Sequence, residues 1–97
     1  MRIRFLSPAN KELDEAIDYY NHQLPGLGFR FFQEVSASVN RILLMPEAWT
    51  KIGKTTRRCL LKGFPYSIYF VVEENEIIIT ALANSHRNPE YYTGRIT

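Results

Sequence analysis

The spacing of apolar residues changes once along this chain, and that change constrains the fold more than any other feature. Up to Leu44 apolar residues recur every three or four positions, and from Arg57 onward they alternate. Leu13, Ala16, Ile17, Tyr20 and Leu24 form a helical stripe, with Glu12, Asp14, Glu15 and Asp18 mostly off it and near the favourable N-terminal end. The stripe predicts a helix from about Pro8 to Leu24. Ser7 is read as its N-cap and Pro8 as the first helical residue, where a missing N–H costs nothing. Pro25-Gly26 stops it. A second helix is predicted from about Gly28 to Leu44, with Phe32, Val35, Val39, Ile42 and Leu43 on its apolar face. Helices joined by so few residues pack as an antiparallel hairpin.

Arg2 to Leu6 alternates as a short strand, with Ile3 and Phe5 opposed to Arg2 and Arg4. Pro46 to Thr56 reads as a polar loop, in which Trp49 is an anchor on the core rather than a ligand contact. Three further strands follow, Arg57 to Lys62, Tyr66 to Val72 and Ile77 to Asn84. Gly63-Phe64-Pro65 and a turn at Glu73 to Glu76 separate them. Consecutive strands this close imply an antiparallel meander to which the first strand adds, and both helices need a face to cover. The expected class is α+β: β-α-α-β-β-β, a helix hairpin on a four-stranded, mainly antiparallel sheet, with a short turn or helix around Pro89 to Tyr92.

With 97 residues, 45% of them hydrophobic, the chain is expected to form a single domain over residues 1–97. A core this small gains from a stabilising partner or from self-association. The lone Cys59 excludes an internal disulfide and a cysteine-rich metal site, which fits a reducing cytoplasmic compartment. No apolar run approaches a membrane span, and Met1-Arg2-Ile3-Arg4-Phe5 lacks the apolar core of a signal peptide. Gly-rich phosphate loops, Cys/His metal spacings and a Ser-His-Asp arrangement are all missing, so no cofactor or metal is expected. Asp14 and Glu15, adjacent on a helix, face different directions and are no acid–base pair, and His22 reads as a surface residue.

Charge is unevenly spread. Residues 1–50 carry five Lys/Arg against six Asp/Glu, and residues 51–97 carry seven against four, three of those acids being Glu73, Glu74 and Glu76 in one turn. The C-terminal half therefore offers a basic surface suited to phosphate or to an acidic protein partner.

Two passages carry a resemblance. Arg57-Arg58-Cys59-Leu60-Leu61-Lys62-Gly63-Phe64-Pro65-Tyr66 is an arginine-rich strand running into a Phe-Pro-Tyr corner, and Asn84-Ser85-His86-Arg87-Asn88-Pro89-Glu90-Tyr91-Tyr92 closes the last strand. Together with the order of elements they resemble the RelE/ParE toxin superfamily over nearly the whole chain. The Phe-Pro-Tyr corner and the His-Arg-Asn-Pro ending are most similar to its ParE-like, plasmid-stabilisation branch. The resemblance implies a bacterial growth-arresting toxin neutralised by a cognate antitoxin, with a homodimer or a heterotetramer with the antitoxin as assembled forms. It also implies one of two targets. ParE-like members act on DNA gyrase by binding, whereas RelE-like members cut messenger RNA on the ribosome.

Metal-free RNA cleavage needs a base for the 2′-OH, an acid for the leaving oxygen and cations for the phosphoryl charge. His86 is of the residue type suited to acid–base work near neutral pH, Arg58 and Arg87 can clamp phosphate, and Tyr91 or Tyr92 can stack on a base. Arg58, His86, Arg87 and Tyr92 are thus the nuclease candidates. The plainer readings are a strand-end histidine, exposed arginines and tyrosines closing the core, and they are favoured because a lone histidine without a fixed partner is weak support for acid–base work. Ser67 points the same way: it stands where RelE-type nucleases often carry arginine, and a serine cannot neutralise a phosphate. Lys51 and Lys54 add charge in the loop. For target binding without cleavage the candidates are Arg57, Arg58, Lys62, Arg87 and Arg95.

Overall fold

A computed structural model describes residues 1–95. The order is β1 (Arg2–Phe5), α1 (Ser7–Gln23), α2 (Leu27–Leu44), β2 (Thr50–Lys51), β3 (Arg57–Leu60), β4 (Tyr66–Glu73) and β5 (Glu76–Asn84), then a 3-10 turn at Pro89–Tyr91. The sheet runs β1-β5-β4-β3-β2, antiparallel except where β1 lies parallel to β5. The α+β class and the element order stand as expected, with five strands rather than four. The extra one comes from the expected loop, where Thr50 and Lys51 pair with Arg58 and Arg57. Two polar residues carry no period, so alternation could not reveal this strand.

Both helices cover one face. Ala9 and Ala16 of α1 and Phe31, Val35 and Ile42 of α2 join Cys59, Ile68, Phe70, Ile77, Ile79 and Leu82 in the main core. Trp49 packs against this core. The stripe on α2 is rotated from the expected one: Phe31 is wholly buried, whereas Phe32 is 44% exposed. The buried positions are Gly28, Phe31, Val35, Ser38 and Ile42, and the polar Ser38 among them hides the true face from an apolarity count. Leu24, expected on the α1 stripe, lies just past the helix and is exposed. Ser7 is the first helical residue rather than the cap. Leu6 takes the N-cap position without a side-chain bond. Gly28 sets the helix spacing, since a Cβ there would meet Ile17 O at 2.5 Å and Asn21 Cγ at 2.7 Å. The Asn21 carboxamide accepts from the Gly28 N–H at 2.9 Å.

A smaller cluster lies on the other face of the sheet, where Tyr69, Ala81 and Ala83 are covered by Tyr92, with Ile52 alongside. Tyr92 stacks on Tyr69 at 5.1 Å between ring centroids. No helix among the described residues is long and apolar enough to cross a membrane.

Candidate functional site

Parallel pairing of β1 with β5 ends at Phe5 opposite Ile79, while β5 continues to Asn84. The register of β5 on β4 slips between Tyr69, opposite Ala81, and Phe70, opposite Ile79, leaving Thr80 as the extra residue of a bulge. From Thr80 onward one edge of β5 has no strand beside it. Two side chains from distant parts of the chain take its place. Glu12 Oε1 accepts from the Leu82 N–H at 3.0 Å, and Arg95 Nη1 donates to the Thr80 carbonyl at 3.0 Å. Glu12 and Arg95 in turn form a bidentate pair at 3.0 and 2.9 Å, and the guanidinium lies 4.9 Å from the Tyr92 ring centroid.

Beside this edge lies a cleft of about 270 Å³. Glu12, Glu15, Ala16 and Tyr19 of α1 form one wall, Leu82 to Asn84 the floor, and Tyr66, Arg87 and Tyr92 the other side. Burial pushes the Tyr66 phenol up, Tyr19 adds to the shift, and the Arg87 guanidinium opposes it. The cleft thus presents a neutral phenol and a cation on one side and glutamates on the other.

Of the nuclease candidates, Arg87 and Tyr92 line this cleft, and Arg58 and His86 do not. Arg58 lies opposite Tyr69, itself opposite Ala81; Asn84 is three positions farther along β5, about 10 Å at 3.3 Å per residue, and His86 lies beyond it. His86 is exposed, and its backbone N–H donates to Asn84 Oδ1 at 2.9 Å. Tyr92 is 6% exposed and stacked on Tyr69, so its faces are not offered to a base, whereas Tyr91 is exposed. Ser67 is fully buried, with its hydroxyl 3.0 Å from that of Ser85.

Of the five target-binding candidates, Arg87 and Lys62 are exposed and Arg58 is half-buried, and none of their side chains has an ion-pair partner among the described residues. Arg57 donates to the carbonyls of Glu47 and Trp49 at 3.1 and 2.7 Å, tying the loop to β3. Arg95 is engaged by Glu12. Lys62 lies apart from the β5 cleft, in a second one of about 540 Å³ with Arg30, Gln33 and Phe64. Glu34, at its back, accepts from the Lys62 N–H at 2.8 Å, Arg41 at 3.2 Å and Ser38 at 3.1 Å. Burial alone would raise this carboxyl, yet those donors hold it below the usual glutamate range. Glu12 falls off the apolar stripe of α1, and no spacing signal gives Tyr19 or Tyr66 a role. Only contacts distant in sequence mark them.

This architecture, two helices over one face of a mainly antiparallel sheet, is a fold shared with solved structures. The profile of the ParE toxin of type II toxin–antitoxin systems, parDE, matches residues 3–89, and the chain belongs to this family. A structure of the chromosomal ParDE toxin–antitoxin system from P. aeruginosa superposes with a TM-score of 0.77 at 20% identity, covering 87% of this chain and 95% of that one. The isolated E. coli RelE toxin superposes with a TM-score of 0.66 at 17% identity, covering 93% and 89%. No curated protein sequence matches the chain.

Proposed function

We propose that this protein is a single-domain cytoplasmic toxin that arrests growth by binding DNA gyrase and is neutralised by a cognate antitoxin. Family membership supports the toxin half of this reading. The observation that supports binding over cleavage is that the one acid–base candidate, His86, is exposed, with its ring not held among the described residues. Tyr92 is packed on Tyr69, and His86 has no side-chain hydrogen bond among the described residues to hold its ring. A general base needs to be held within hydrogen-bond reach of its proton. Three cations, Arg58, Lys62 and Arg87, remain to meet an acidic protein surface, where charge acts on association rate and specificity.

Growth arrest by point variants separates this from a RelE-like, ribosome-dependent nuclease. Under the binding reading, His86→Ala leaves toxicity within about twofold, and Arg87→Ala and Lys62→Ala weaken it in a salt-dependent way. A nuclease would lose about 10²–10⁴-fold on losing its acid–base group. Loss of toxicity confined to His86→Ala therefore contradicts the proposal. Co-expression with the protein encoded beside it is expected to raise solubility and melting temperature.

A further inference from the structure

The cleft that holds Lys62 shares no residue with the one beside the β5 edge. Tyr20 of α1, Arg30, Gln33 and Glu34 of α2, and Lys62 and Phe64 of the corner between β3 and β4 line it. That corner forms because Gly63 takes a φ of 77°, in the left-handed region that suits glycine, and the Leu61 N–H donates to the Tyr66 carbonyl at 2.9 Å. Lys62 and Phe64 thereby reach the same cleft from either side of Gly63. The two cations, Arg30 and Lys62, are exposed and have no ion-pair partner among the described residues. Glu34 is more unusual. Its three donors, the Lys62 N–H, Arg41 and Ser38, all go to Oε2, and Oε1 accepts no hydrogen bond among the described residues. A carboxylate only 17% exposed is normally satisfied at both oxygens. Tyr20 and Phe64, both half-buried, meet edge to face at 4.9 Å and give the cleft an aromatic wall.

We propose that this cleft binds a nucleoside phosphate whose base carries an exocyclic amine. The three kinds of group in it match the three parts of such a ligand. An aromatic wall takes the face of a base, by the same stacking that holds unpaired bases on Phe and Tyr elsewhere. Arg30 supplies a planar fork and Lys62 a point charge, the two cations that hold phosphate oxygens. Glu34 Oε1 is left to accept from the amine. Burial works to raise this carboxyl, but its three donors lower it, so at neutral pH it accepts and does not donate. That carboxylate also decides against an acidic peptide, which would meet like charge at the back of the cleft. A volume of about 540 Å³ lies within the range of small-molecule sites, roughly 300–1,000 Å³. The site stands independently of the gyrase reading. A nucleotide held here covers Lys62 and so competes with an acidic target that uses this cation.

Calorimetric titration of the purified chain tests this with four probes: AMP, purine riboside monophosphate, which lacks only the amine, adenosine and inorganic phosphate. AMP is expected to bind at one site with a Kd of roughly 10–500 µM. Each of the other three is expected to bind at least roughly tenfold more weakly, since each lacks one of the contacts. Arg30→Ala, at an exposed position, is expected to weaken AMP about tenfold and to leave adenosine unchanged. Glu34→Gln is expected to bind AMP and the analogue without the amine alike, with circular dichroism confirming that it folds. Arg2→Ala, on β1 away from the cleft, is expected to change nothing. No saturable binding of AMP up to about 5 mM would overturn the proposal. So would inorganic phosphate or the amine-free analogue binding as tightly as AMP, or equal losses in Arg30→Ala and Arg2→Ala. AMP binding removed by Arg87→Ala instead would move the ligand to the β5 cleft. A glutamate-rich peptide that binds where AMP does not, and is lost in Arg30→Ala, would assign the cleft to an acidic protein and contradict the nucleotide.

Discussion

Glu12 and Arg95, 83 residues apart, meet in a two-bond pair that does the work of a missing strand: one accepts from the Leu82 N–H and the other donates to the Thr80 carbonyl. Their side chains are only 23% and 24% exposed, so water does not readily replace either. Arg95→Ala leaves the buried Thr80 carbonyl without its side-chain donor and the part-buried Glu12 carboxylate with the Leu82 N–H alone, and a loss of about 1–3 kcal/mol is expected. For a chain of this size that is a fall of roughly 4–8 °C in melting temperature per kcal/mol. Glu12→Ala is expected to lose a similar amount, and the double variant less than the sum of the two. Additive losses in thermal melts would show that the pair is not coupled.

Because Arg95 is held in this way, its removal is expected to reduce toxicity through stability, and Arg87→Ala through binding alone. The two are distinguished by lowering the temperature. Arg95→Ala recovers activity as the folded fraction recovers, and Arg87→Ala does not. Matched behaviour would assign both arginines to the same role.

Glu34 gives the fold an acid-sensitive component. Burial works against its charged form, but the Lys62 N–H, Arg41 and Ser38 more than offset this and lower its pKa in the folded state. A lowered folded-state value means stability present in full above the ordinary glutamate value of about 4.3 and lost as pH falls through the folded one. Urea midpoints of Glu34→Gln and of the parent are therefore expected to differ at pH 7 and to converge below about pH 4. A constant gap across that range would rule this out.

Much of the architecture was legible because periodicity reports which face is buried. Both helices, the meander and the anchoring Trp49 follow from apolar spacing and turn residues. The rotation of α2 was not legible, since Phe31 and Phe32 are equally apolar and Ser38, inside the core, is not. The site was less legible still. The open edge of β5 depends on where β1 stops and on a bulge at Thr80, neither of which leaves a spacing signal. Glu12 looks like any solvated helical acid until Arg95 and Leu82 are brought to it.

Ser67 shows how location changes a reading. As a departure from an arginine position it suggests a phosphate site short of a cation, but its side chain is fully buried against Ser85. Ser67→Arg is expected to cost several kcal/mol by burying an unpaired cation, and to yield insoluble protein rather than a nuclease. Ser67→Ala, losing one hydrogen bond, is expected to cost about 1 kcal/mol in denaturant titrations. A soluble, ribonucleolytic Ser67→Arg variant would refute this view of the position.

Tyr92 is expected to act as a packing residue. Tyr92→Phe keeps the stack on Tyr69 and is expected to leave melting temperature and toxicity close to the parent. Tyr92→Ala opens the smaller core, and a loss of about 3–5 kcal/mol is expected, as for other large aromatic truncations. If Tyr92→Phe abolished toxicity with folding unchanged, the hydroxyl would be part of the functional chemistry.

The most direct test of the central claim is a supercoiling assay with purified gyrase, run beside a reconstituted translation reaction in which ribosome-bound messenger RNA is followed. The toxin is expected to inhibit supercoiling, with inhibition weakened by salt and by Arg87→Ala and reversed by the antitoxin, and the message is expected to stay intact. Unimpaired supercoiling together with ribosome-dependent cleavage that His86→Ala removes would contradict it.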